Sequence, residues 1–120
     1  MRVWDLPPSN LCNRHLNAQH NEIHSIYSII TNDLSGFSHH PEVERWRGHL
    51  GALYRVHERT VVEMVRRGYN HNSELPVMVQ HLTPEPEPWQ SIEEQVMVLY
   101  DKGSTVTGCD CYNRIMEELT

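Results

Sequence analysis

A chain of 120 residues is long enough for one domain with its own core and too short for two. No apolar run approaches the ~20 residues of a membrane helix, and three cysteines, an odd count with no paired framework, exclude a disulfide-stapled scaffold. A net charge of −6 argues against strong nonspecific binding to nucleic acid.

That charge is unevenly spread. Residues 1–70 hold eight arginines and no lysine against seven acids, while residues 71–120 hold Lys102 and Arg114 against nine acids. Arginine without lysine suits forked contacts to phosphate or carboxylate. With no leader pattern before Pro7 and Pro8, the expected location is the cytoplasm, at the nucleoid or in a phage-infected host, with no membrane partner.

In chain order, Pro7 and Pro8 stiffen the entry to a first helix expected over about 10–31, with Ser9 or Asn10 as its N-cap. Cys12, Leu16, Ile23, Tyr27 and Ile30 recur at helical spacing, and Leu11, His15, Ala18, Glu22 and Ile29 run beside them. His15 and Glu22, two turns apart, share a face. That pair reads either as a solvated flank or as an acid and an imidazole presenting a site. Residues 31–38 read as a loop.

A second helical region starts near Pro41 and reaches Arg67, with Val43, Trp46, Leu50, Leu53, His57, Thr60 and Met64 on one stripe and a break expected near Gly48. Glu63 falls on the face expected to be solvated. Arg66-Arg67-Gly68 signals a helix end. A short helix is expected within 75–82. Residues 83–90, rich in proline and glutamate, read as an extended connector. Ser91-x-x-Glu94 is a capping box for a helix closed by Gly103, and a last short helix is expected over 109–119. The organisation is therefore a helical core over 1–82, the connector over 83–90 and an acidic helical extension over 91–120.

Nine histidines are many for this length. His20 and His24, four apart on a helix, have chelating spacing, but no carboxylate pattern completes them. Cys109-Asp110-Cys111 is a Cys-x-Cys, not the Cys-x-x-Cys of zinc ribbons, with no second pair, and a structural or unpaired role is expected. No metal and no cofactor is expected. There is no glycine-rich phosphate loop, no nucleophile elbow, and no cysteine with a helix-start signal to activate it. The one remaining nucleophile is the α-amine of Met1. It titrates near ~7.7–8.0, so roughly a tenth is free base at neutral pH, and it forms Schiff bases readily.

Arg2-Val3, then His15-Leu16-x-Ala18-x-x-x-Glu22-Ile23, then Arg67-Gly68-Tyr69-Asn70 resemble the pyrimidine-dimer DNA glycosylases of the phage endonuclease V type. Three wider blocks, residues 1–8, 39–43 and 63–71, resemble compact microbial proteins classed with them. The likeness covers about residues 1–75. It implies an all-α fold, a compact single-domain helical bundle whose N-terminal segment lies against a long first helix. It implies a DNA glycosylase with abasic-site lyase activity. Met1 would attack the sugar C1′ of a damaged pyrimidine nucleotide, and Glu22 would stabilise the cationic intermediate and move protons. Arg2, Arg14, His15 and Asn21 would lie against the substrate, which is damaged double-stranded DNA. Two arginine positions of the family's first helix are Asn21 and Ser25 here, and its aromatic, basic C-terminal segment is replaced by the acidic residues 83–120. The expected protein is a monomer. The alternative reading is a non-catalytic helical binding module of the same fold, its acidic tail taking a basic protein partner; a histidine-ligated metalloprotein is a third.

Overall fold

The computed structural model describes residues 1–32, 40–71, 73–75 and 83–119. Among these the chain forms a 3₁₀ turn at Pro8–Asn10 and then α1 (Asn13–Thr31), α2 (Pro41–Trp46), α3 (Leu50–Arg66), α4 (Ile92–Thr105) and α5 (Cys111–Leu119). This is the all-α single-domain architecture that the resemblance implies. The loop expected over 31–38, apart from Thr31 and Asn32, and the short helix expected within 75–82, apart from Leu75, lie outside the described residues.

The first helix starts later than its signals suggest. Ser9 and Asn10 do not cap it, because their side chains turn to α5: the Asn10 amide donates to Glu118 Oε2 at 2.6 Å and the Ser9 hydroxyl donates to Oε1. Capping falls to Cys12, whose sulfur accepts from the His15 N–H at 3.4 Å. A cysteine therefore does stand at a helix start. The expected break between α2 and α3 is at Gly48, which sits at φ +77°, where a side chain would be strained. α3 ends as its sequence signals. Gly68 takes φ +93°, its N–H reaches Val65 O at 2.9 Å and the Tyr69 N–H reaches Met64 O at 3.0 Å, the paired bonds of a Schellman end. α4 opens with the Ser91–Glu94 capping box. It then runs through Gly103 to Thr105 rather than stopping at the glycine, and the turn to α5 is made instead by Gly108, at φ +78°.

Two apolar clusters form the core. One joins Val3 of the N-terminal segment to Ile23 and Ile26 of α1, Trp46 of α2 and Leu53 of α3. The other joins Trp4 and Leu11 to Leu16 of α1, Met64 of α3, Leu99 of α4 and Ile115 of α5. Leu99 is wholly buried, a burial that stabilises by about 1.5–3 kcal/mol. Helices α4 and α5 thus close the core.

Glu63 is not on a solvated face. It is 7% exposed, because the N-terminal segment crosses that edge of α3. Its carboxylate accepts from Arg66 at 2.6 Å and from Arg67 Nε at 2.6 Å, and Arg67 in turn donates to Leu11 O at 2.6 Å and Asn13 Oδ1 at 3.0 Å. The Arg66 hydrogen bond, then the Arg67 bond and both charges, hold the acid at about 2 against burial, which pushes the other way. A depressed carboxylate stabilises the fold above its ordinary value of 4.5 and loses that contribution as pH falls toward about 2. Glu63→Gln should cost about 1.5–3 kcal/mol at pH 7. In thermal melts the gap to the parent protein should narrow as the pH is lowered from 4.5 toward 2; a gap that stays constant would assign the loss to packing alone.

Candidate functional site

The first residues run along α1 because their backbone finds partners there. The Trp4 N–H donates to Gln19 Oε1 at 2.8 Å, and Gln19 Nε2 donates to Thr60 Oγ1 at 3.1 Å. Gln19 is 1% exposed, so both bonds are made away from water. Upstream of this anchor, Val3 packs with Ile23 and Ile26, and half-buried Met1 packs against the same cluster. Glu22, the neighbour of Ile23 in sequence, is itself half-buried. No hydrogen bond or ion pair joins Met1 to Glu22 among the described residues.

The other four candidates divide into two pairs. Arg14 and Asn21 are exposed on α1. Arg2 and His15 are engaged inside the molecule. The Arg2 guanidinium lies 4.0 Å from the centroid of the Trp4 ring and 4.6 Å from that of Trp89, and it donates to Gln90 Oε1. Burial lowers its pKa from the ordinary arginine value, partly offset by the charges of Glu42 and Asp5. His15 points at sulfur. Its Nδ1 is 3.0 Å from Cys12 Sγ, 3.3 Å from Cys111 Sγ and 3.6 Å from Cys109 Sγ. Cys12 and Cys111 are wholly buried, and none of the three cysteines is in a disulfide. Burial pushes the Cys111 thiol up, while the Cys12 N–H, 3.0 Å from its sulfur, favours the thiolate. Burial, followed by the nearby charges of Lys102 and Arg14, lowers His15.

A second cluster lies farther along α1. His20 and His24 meet His57 of α3 and His71, which follows α3. His20 Nε2 is 3.0 Å from His71 Nε2, and His24 Nε2 is 3.1 Å from His57 Nε2. The outer nitrogen of His57 lies 3.1 Å from the Glu58 carboxylate. A cavity of about 350 Å³ opens beside the group, lined by His20 and His71 with Asn17, Asn21, Tyr69 and Asn70. Burial first, and then the neighbouring imidazoles, bring His20 down to about 4; the same causes lower His24.

The family model described as pyrimidine dimer DNA glycosylase matches residues 1–77. The chain belongs to that family. No curated protein and no solved structure matches it. Family membership carries the general role of a pyrimidine dimer DNA glycosylase, with DNA as substrate. No helix among the described residues is long and apolar enough to cross a membrane. The matched segment contains Met1, Glu22 and all four clustered histidines, whereas Cys109 and Cys111 lie beyond it.

Sequence reasoning found half of each cluster. His20 and His24 were marked by their spacing, and Cys109 and Cys111 by theirs. Their partners, His57 and His71 in one case, Cys12 and His15 in the other, carry no short-range signal linking them to those pairs. Cys12-x-x-His15 does have ligand spacing, but Cys12 reads as one residue of the apolar stripe and His15 as a substrate-facing group. The anchor that sets the glycosylase's N-terminus can be tested directly. Gln19→Leu keeps the side-chain size but leaves the Trp4 N–H buried without an acceptor, and should lower stability by about 1–3 kcal/mol in denaturant unfolding. A change under about 0.5 kcal/mol would mean that the segment docks without this bond.

Proposed function

We propose that this glycosylase excises damaged pyrimidines with the α-amine of Met1 as nucleophile and Glu22 as its catalytic carboxylate, and that it cleaves the resulting abasic strand by β-elimination. The observation that supports this reading is the docking of the N-terminal segment on α1 through Gln19, with Met1 packed against the cluster that contains Ile23, the neighbour of Glu22 in sequence.

In the first step the neutral amine bonds to C1′ of the damaged nucleotide, the bond from C1′ to the base breaks, and the departing base takes up a proton. Glu22, an anion beside the developing positive charge at C1′, lowers the barrier electrostatically. Ring opening gives the iminium, and removal of a C2′ proton expels the 3′ phosphate. Glu22 is the carboxylate within this stretch of α1 to accept and return those protons. Exposed Arg14 and Asn21 face the strand, Arg14 as a forked phosphate donor. Arg2 and His15, held in internal contacts, act by fixing the N-terminal segment and the start of α1.

Two measurements test the assignment. Borohydride with abasic-site DNA should trap a covalent adduct on Met1, and acetylating or extending the N-terminus should abolish it; an adduct mapped to Lys102 overturns the nucleophile. Glu22→Gln keeps the shape and removes the charge, so base excision should fall by about 10²–10³-fold with the thermal melt unchanged. Lyase activity on preformed abasic sites should fall less. Parental excision kinetics in this variant would remove Glu22 from the mechanism.

A further inference from the structure

We propose that Cys12, His15, Cys109 and Cys111 form a closed structural zinc site, and that His20, His24, His57 and His71 form a second, open site for a divalent first-row metal ion. Neither site depends on the excision chemistry above.

The first site has the donor set and the size that zinc requires. Cys₃His is a closed structural set, with Zn–S near ~2.3 Å and Zn–N near ~2.0–2.1 Å. A tetrahedron with those arms separates a sulfur from a nitrogen by roughly 3.5 Å and two sulfurs by roughly 3.8 Å. Here His15 Nδ1 stands 3.0, 3.3 and 3.6 Å from the three sulfurs. All four donor atoms lie within 4.8 Å of one another. The ligands come in two short runs, Cys12-x-x-His15 at the head of α1 and Cys109-x-Cys111 at the head of α5. The Cys12 N–H already donates to the Cys111 sulfur at 3.0 Å, the outer bond a zinc-bound thiolate accepts. Three thiolates and a dication leave one negative charge, and Lys102 and Arg14 are the cations near it. Four protein ligands leave no position for substrate, so the ion's role is to clip the C-terminal helices to α1.

The second site is carried by a different observation. Four imidazoles from three parts of the chain aim Nε2 at one another, with the donor atoms again within 4.8 Å. Tetrahedral ligation by nitrogen separates donors by roughly 3.3 Å, close to the 3.0 and 3.1 Å found here. Glu58 on the outer nitrogen of His57 supplies the carboxylate that orients a metal-bound imidazole. Neutral ligands leave the ion its full charge, and His20 and His71 border the cavity. A metal ion that expands from four to five ligands would take an anionic oxygen, such as that of a phosphate, from that side. Imidazole donors suit zinc, copper, iron and nickel.

Metal analysis of untagged protein, prepared without chelator and dialysed against zinc, should find two ions per chain. The double variant Cys109→Ser, Cys111→Ser should retain one, and His24→Gln with His57→Gln should retain the other. Cobalt titration of the unaltered protein needs no variant to fold. The first site should give an intense thiolate-to-cobalt charge-transfer band, and the second should add visible ligand-field absorption without that band. Inorganic phosphate should perturb only the second signal. Cobalt binding without a thiolate band overturns the zinc site. Loss of all metal in the cysteine variant, with its fold intact by circular dichroism, overturns the histidine site and leaves the four imidazoles as two N–H···N pairs.

Discussion

The constraint on which the structure depends is that an irregular segment lies buried among helices. Residues 1–12 form no helix beyond one 3₁₀ turn, so their backbone groups must be satisfied by side chains from elsewhere. Partners come from every helix or its end, α5 included, where the Cys111 sulfur takes the Cys12 N–H at 3.0 Å and Glu118 also holds the Ser9 and Asn10 side chains. Gln19 of α1 takes the Trp4 N–H, Arg45 of α2 donates to Val3 O at 3.2 Å, Arg67 after α3 donates to Leu11 O, and Gln95 of α4 takes the Asp5 N–H at 2.9 Å. The helices are thereby fixed relative to one another through a strip of chain they all grip.

The acidic half of the sequence has a local use that net charge conceals. Glu85 pairs with Arg59 at 2.9 Å, Glu94 closes its capping box, Asp110 pairs with Arg114 at 3.1 Å, and Glu118 holds Asn10. Glu42, from the front half, is the most enclosed acid. One of its oxygens accepts from Arg45 and the Trp46 indole, both at 2.8 Å, and the other accepts from the Trp89 indole at 3.1 Å. Glu85, Glu118 and Glu42 join the connector and α5 to the front of the molecule, while Glu94 acts within α4 and Asp110 at the head of α5. The surface of α1 that bears Arg14 and Asn21 is left with an arginine and amides.

Much of the fold was legible because it rests on local rules. The glycine end of α3, the proline start of α2 and the capping box of α4 are short-range backbone chemistry, and each element forms where those residues place it. The first cap was misread because Ser9 and Asn10, ordinary capping residues, are claimed by Glu118, a residue more than a hundred positions away. Glu63 was misread for a related reason: helical periodicity gives the face but not what crosses it. The candidate site divides along the same line. Met1 and Glu22 came from likeness to a family. The two donor clusters are products of tertiary folding, since His20 and His24 gain His57 and His71 only when α1 packs on α3, and Cys109 and Cys111 meet Cys12 only when the chain ends are brought together.

That meeting of the ends has a consequence for synthesis. At ~5–20 residues per second, the chain between Cys12 and Cys111 takes on the order of 5–20 s to emerge. For most of that interval the head of α1 exists without α4 and α5, and Leu11 and Leu16, packed in the finished molecule with Leu99 and Ile115, lack those partners on the nascent chain. Contacts this distant in sequence also form slowly once the residues are present, because a long loop must close first. The front half of the bundle is therefore made before its seam can close, and Leu99 and Ile115, made later, are the residues that close it.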